Sequence, residues 1–165
     1  MNLMYGITYI AGPFFNEVQN ERITLMENLC KKYKVRYHSP RDFMKLASNA
    51  TQEEMIKVFK SNCQQILKST LIIALIDDPD TGTNWEMGYA YGKEKPVLMV
   101  SFKNKKVNVM LVQGAIGFTQ NLEQIELFLR GKNYGYAYAD IHGVAYDFNL
   151  EVAQQWKKAK ETEIY

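Results

Sequence analysis

A chain of 165 residues is about the size of one domain with a single good core, so one domain spanning residues 1–165 is expected. Its 20 basic and 18 acidic side chains leave a formal charge of +2, which removes the electrostatic case for a nucleic-acid polymer as partner. No run approaches the ~18 apolar residues of a membrane helix, and the first residues lack a basic then apolar leader, so no membrane association and a cytoplasmic location are expected. The only cysteines, Cys30 and Cys63, lack metal-ligand spacing, which argues against a zinc site or disulfide framework and for buried thiols.

Residues 7–10 read as the first strand, broken by a tight turn at Gly12 and Pro13. Asn16 then opens a helix to about residue 34, with Ile23, Met26, Leu29 and Cys30 at helical spacing. Residues 35–38 form a second strand, ended by Ser39 and Pro40, which leaves Arg41, Asp42 and Phe43 on a loop at its carboxyl end. Thr51 and Glu54 make a capping-box pattern for a helix to about residue 67, with Met55, Val58, Phe59 and Ile66 as its inward stripe. The uninterrupted apolar run at residues 71–76 suits a central parallel strand covered on both faces.

An acidic turn carrying Asp77, Asp78 and Asp80 leads into a short helix over residues 84–92 and a fourth strand at 96–100, the kind of crossover that parallel neighbours need. A basic, solvated loop at 103–106, the segment from Asn108 to Gly114, a fifth strand at 115–119 and a helix from Asn121 to residue 130 follow. Past residue 131 the chain is rich in Gly, Tyr and Ala, and residues 151–160 read as a polar helix. This alternation predicts an α/β three-layer sandwich with a mostly parallel five-stranded sheet of the flavodoxin or Rossmann kind. Ligands of such sheets sit beyond the carboxyl ends of the strands, where Asp77, Asp78, Asp80 and Glu86 would lie.

Glu86 stands out as a candidate nucleophile at a helix start facing that cleft, against an even chance that it only complements the helix dipole. Asp80 beside it tips the balance, because two carboxylates in different surroundings divide nucleophile and acid roles in retaining glycoside cleavage. The three aspartates could instead hold Mg²⁺, but no glycine-rich phosphate loop, dinucleotide fingerprint or Ser or Cys elbow accompanies them. His38 and His142 have no partner at telling spacing and read as structural or surface residues.

Tyr9-Ile-Ala-Gly-Pro-Phe-Phe15, Asp80-Thr-Gly-Thr-Asn-Trp-Glu-Met-Gly-Tyr89, Asn108-Val-Met-Leu-Val-Gln-Gly114 and the terminal Ile164-Tyr165 together resemble the nucleoside 2-deoxyribosyltransferases. The similarity runs from Tyr9 to Thr119 plus the terminus and is weakest over residues 131–160. The resemblance implies Glu86 as nucleophile at C1′ of the deoxyribose, Tyr9 as the hydroxyl that orients it and Asp80 as the group serving the departing base. It implies Phe14, Asp42 and Phe43 lining the base site, Gly12 and Asn62 near the substrate, Asn108 reaching a neighbouring subunit's site and the Tyr165 carboxylate completing the base pocket. Asn62 stands where many of these transferases have an aspartate; an amide hydrogen-bonds but carries no charge.

The same resemblance implies a cofactor-free and metal-free enzyme that uses a deoxynucleoside and a free nucleobase and works as a homo-oligomer, hexameric or dimer-based. The chemistry is consistent with that. A 2-deoxyribosyl centre lacks the electron-withdrawing 2′-hydroxyl, so a carboxylate captures its oxocarbenium-like transition state without metal or phosphate activation. A rival reading is an N-glycoside hydrolase of 2′-deoxyribonucleoside 5′-monophosphates, with Arg41 and Lys106 as the available phosphate cations. A third is a nucleotide-sensing domain without turnover, against which an intact Glu86, Tyr9 and Asp80 argue.

Overall fold

The computed structural model describes residues 6–43, 46–103 and 107–119 together with residues 122, 123, 125, 126 and 129, the side chain of Phe43 excepted. Lys106, His142, Tyr165, the tyrosine-rich tail from residue 134 to 146 and the expected helix at 151–160 lie outside these residues. Strands β1 (Ile7–Ala11), β2 (Arg36–His38), β3 (Ser69–Leu75), β4 (Val97–Val100) and β5 (Gly117–Thr119) alternate with helices α1 (Glu17–Lys32), α2 (Pro40–Phe43), α3 (Gln52–Lys68), α4 (Thr81–Gly92) and α5 (Val109–Gly114). The sheet order is β2-β1-β3-β4-β5 and every pairing is parallel, so the mostly parallel sheet is wholly parallel among the described residues.

β3 shows why the sequence folds this way. Successive side chains of a strand point to opposite faces. Leu71, Ile73 and Leu75 join one core with Ile23, Met26 and Leu29 of α1 and with Ile125 and Leu129. Ile72, Ala74 and Ile76 join the other with Ile66 of α3, Met87 and Ala90 of α4 and Val112 of α5. The third layer is thus real, and each fully buried Leu or Ile contributes on the order of 1.5–3 kcal/mol of burial. Cys30 in α1 and Cys63 in α3 stand on helices of opposite faces, which excludes a bridge between them.

Caps set the helix ends. Asn16 accepts from the Gln19 amide at the start of α1, and Thr51 with Glu54 completes the expected capping box at α3. α1 and α4 close alike: Val35 N–H bonds to Cys30 O and Lys95 N–H to Ala90 O, with Lys34 (φ 54) and Glu94 (φ 55) in the left-handed conformation that such endings require.

Three expectations need correction. Residues 40–43 are a helical turn, because Pro40 suits a first helical position, where its missing N–H costs nothing. α4 begins at Thr81, not 84, so Glu86 sits in its second turn, past the reach of a dipole effect confined to the first. Of the stripe assigned to the core side of α3 only Ile66 is buried; Met55 is 48% and Phe59 53% exposed. A helical period shows that an apolar face exists without showing what covers it. Phe59 meets Trp85 of α4 at 5.0 Å between centroids, and Trp85 stacks on Tyr89 at 5.1 Å, an aromatic ladder on the outside of the fold.

Candidate active site

In the order β2-β1-β3 the chain leaves β1 toward one side and returns to β3 on the other. This reversal is the switch point at which open α/β sheets place their ligands. Tyr9 of β1 shares the face of Ile72, toward α3 and α4, and is fully buried. Its hydroxyl donates to Glu86 Oε1 at 2.5 Å. Burial first, and the charge of Glu86 second, hold the phenol far above its ordinary range, so it stays protonated and acts only as a donor. Glu86 is pushed up to about 7, chiefly by burial and further by the charge of Asp80, while the Tyr9 hydrogen bond works the other way.

Asp80 is the N-cap of α4. Its Oδ2 accepts from the Thr83 amide at 2.7 Å and the Thr83 hydroxyl at 2.6 Å. A carboxylate with two donors on one oxygen is held in one rotamer, and Oδ1 takes no hydrogen bond among the described residues. Asp77 and Asp78 serve elsewhere. Asp77 Oδ1 accepts from the Ser101 hydroxyl and the amides of Phe102 and Lys103, tying the end of β3 to the loop after β4. Asp78 pairs with Arg22 at 3.2 Å and Lys103 at 2.6 Å. The acidic turn is therefore split between two structural carboxylates and one beside Glu86.

Glu86 and Asp80 open onto a cavity of about 130 Å³. Gly12, Phe14 and Phe15 after β1, Pro40 of α2, Val58 and Asn62 of α3, and Gly82 and Thr83 of α4 complete its lining. At Gly12 a Cβ would meet Ile23 Cδ1 at 3.0 Å and Leu75 Cβ at 3.1 Å, so a side chain would push the turn off the strand ends. The structure thus brings together Tyr9, Gly12, Phe14, Asn62, Asp80 and Glu86. It does not bring Asp42, which is exposed on α2 and lines no part of this cavity, nor Asn108, which caps α5 by accepting from the Met110 amide at 2.9 Å. Phe43 belongs to α2 by its backbone.

Some cavity residues escaped the sequence reading. Thr83 was legible, since a hydroxyl three residues after an N-cap aspartate is a recurrent capping pair. Pro40, Phe15 and Val58 carry no such signal. His38, read as structural, is paired with Tyr9 in the β1–β2 register, and the two rings stack at 5.5 Å between centroids with 21° between planes.

A parallel sheet of flavodoxin-like order, with a phenol-bound carboxylate and a capping aspartate at its switch point, defines an α/β protein built around a carboxylate-centred cleft. The profile of the family described as Nucleoside 2-deoxyribosyltransferase matches residues 8–153, and the chain belongs to that family. Its structure is similar to that of the 2-deoxyribosyltransferase from the psychrotolerant bacterium Bacillus psychrosaccharolyticus, with a TM-score of 0.70 and 26% identity over 82% of this chain and 95% of that one. It also shares its fold with a conserved protein from Enterococcus faecalis V583, at a TM-score of 0.51 and 20% identity over 91% of this chain and 98% of that one. A search of curated proteins finds no match. Among the described residues no helix is long and apolar enough to cross a membrane.

Proposed function

We propose that the protein transfers 2-deoxyribose from one nucleobase to another through an ester on Glu86. The observation that carries this reading is the 2.5 Å hydrogen bond from Tyr9 to Glu86 Oε1, which leaves Oε2 without a hydrogen-bond partner among the described residues at the wall of the cavity. In the first half-reaction a Glu86 oxygen bonds to C1′ as the C1′–N bond breaks, and the electron pair leaves with the base, which takes up a proton from solvent on the side of the cleft lined by Asp80. In the second half-reaction an incoming base attacks C1′, the C1′–O bond breaks, Glu86 regains its electrons and the base loses its proton. Two inversions restore the starting configuration. The family membership and the likeness to a 2-deoxyribosyltransferase support this assignment.

The rival hydrolase of 5′-monophosphates needs a cation for the phosphate, and the geometry of Arg41 speaks against it. Its guanidinium is fully engaged by Glu27, Asn20 and Thr24. Incubation with deoxyinosine and adenine is expected to yield deoxyadenosine and hypoxanthine, and deoxynucleoside supplied alone is expected to leave a deoxyribosyl mass increment on the peptide carrying Glu86. Release of adenine from deoxyadenosine monophosphate without any base exchange would overturn the reading in favour of hydrolysis.

We infer further that the working species is a homo-oligomer of this chain. Large apolar side chains stand exposed on both flanks of α4: Met55, Ile56, Phe59 and Trp85 on one, Tyr91 and Met110 on the other, with a groove of about 230 Å³ between α4 and α5. Contiguous apolar surface of this kind usually meets a partner. Asn108 and Met110 are exposed at the start of α5, which supports a contact with a second copy there. Sedimentation at assay concentration is expected to show an oligomer, and Phe59→Glu with Met55→Glu to dissociate it. A fully active monomer would overturn this inference.

A further inference from the structure

Arg41 ties the β2–α2 corner to three residues of α1. Arg41 donates from Nε to Glu27 Oε1 at 2.9 Å and from Nη2 to Glu27 Oε2 at 2.6 Å, a bidentate fork onto a carboxylate that is only 5% exposed. Burial works to raise the Glu27 carboxyl, but hydrogen bonding by Arg41 and Ser39, together with the charges of Arg41 and Lys31, outweighs it and holds the group below its ordinary value. The remaining donors go to Thr24 Oγ1 at 2.7 Å and to Asn20, whose carbonyl and Oδ1 accept from Nη1 at 3.0 and 3.1 Å. Asn20 in turn donates from Nδ2 to the Phe14 carbonyl at 2.9 Å.

One amide side chain therefore joins the loop after β1, which carries Phe14, to the helical turn α2 after β2, which begins at Pro40. Both of these residues line the cavity, and they follow neighbouring strands of the sheet. An isolated buried ion pair adds little net stability, so stability alone is a weak reason for building one here. We propose that Arg41 is a positioning residue which, through Asn20, holds the loop after β1 and the turn α2 in register and so sets the affinity of the cavity for its substrate. This rests on the cavity being the nucleoside site.

The planar fork is the essential feature. A lysine at this position keeps the charge opposite Glu27 but cannot reach Asn20 and Thr24 at the same time. Arg41→Lys preserves the ion pair and should fold. Asn20→Ala cuts the link to Phe14 without touching the pair, at a helix position that favours Ala. Each variant is expected to raise KM for deoxyinosine roughly tenfold, the scale of one lost hydrogen bond, with kcat within about threefold of wild type. The double variant is expected to be no worse than the worse single, because both act on one relay. Amide hydrogen exchange should quicken at Gly12, Phe14 and Phe15 and at residues 41–43 together in each single variant.

Unchanged KM in both folded variants, fully additive effects, or exchange that quickens in only one of the two segments would each overturn the relay. Exchange does not depend on turnover. A wild-type protein that transfers no deoxyribose would sink the proposed function while the paired exchange still judged the relay.

Discussion

Replacing Glu86 by Ala is expected to leave a folded protein whose transfer rate is lower by about a thousandfold or more, the scale of losing a covalent nucleophile. The helix survives the change: Ala is the best helix former, α4 is capped from Asp80, and its packing rests on Thr83, Met87 and Ala90, all buried. Near-normal base exchange by this variant, with an unaltered circular dichroism spectrum, would remove Glu86 from the chemistry. The same substitution has an effect on stability of the opposite sign. Glu86 titrates at about 7 in the folded chain against an ordinary 4.5, so the unfolded chain gives up this proton at lower pH than the native one. The wild type therefore loses stability as pH rises from 4.5 through 7, up to about 3 kcal/mol for a shift of this size. Glu86→Ala lacks this term, so its melting temperature should gain on that of the wild type between pH 5 and pH 8.

Tyr9→Phe tests the other half of the pair. The nucleophile must be ionised, and Glu86 titrates at about 7, so kcat/KM of the wild type should fall tenfold per pH unit below that point. The Tyr9 hydrogen bond favours the carboxylate and offsets part of the cost of burial. Removing it moves the acidic limb to higher pH and lowers the rate at pH 7 by about 10- to 100-fold, the range of a hydrogen bond to a charged group. Phe keeps the ring, its burial and its stacking on His38 at 5.5 Å, so the change is confined to one oxygen. An acidic limb that stays where it was in a variant of native stability would show that Tyr9 does not tune the nucleophile.

These effects depend on a contact between residues 77 positions apart, and it is worth asking what made that contact legible. Glu86 stands out by its place at the cleft and Tyr9 by the family resemblance, yet their meeting follows from parity and register. Tyr9 shares a sheet face with Ile72, and α4 covers that face because the right-handed crossover from β3 to β4 runs the opposite way along the sheet from that of β1 to β2. The strand itself was plain from its run of branched residues, and the caps at Asn16 and Thr51 from local spacing. The start of α4 was missed although Asp80 and Thr83 carry a cap signature, because the acidic turn drew the reading toward loop and metal. The apolar stripe of α3 was seen correctly as a stripe and wrongly as core, since periodicity carries no information about the covering surface. Arg41 was out of reach altogether: its partners lie 14 to 21 positions back along the chain, and nothing local marks them.

Asp80 has a consequence for dynamics. The oxygen that starts α4 belongs to the same carboxylate that faces the cavity, so the order of the first helical turn and the orientation of Asp80 in the cleft are coupled. Fraying of that turn releases the rotamer of Asp80, and a rotation of Asp80 unties the turn. The loss of an N-cap costs about 1 kcal/mol, so the setting in which the helix is intact and the carboxylate swings freely is a minor one. Whatever enters the cavity and engages Asp80 also lengthens the lifetime of the helical turn, which makes local backbone protection at Thr83 and Asn84 a gauge of occupancy.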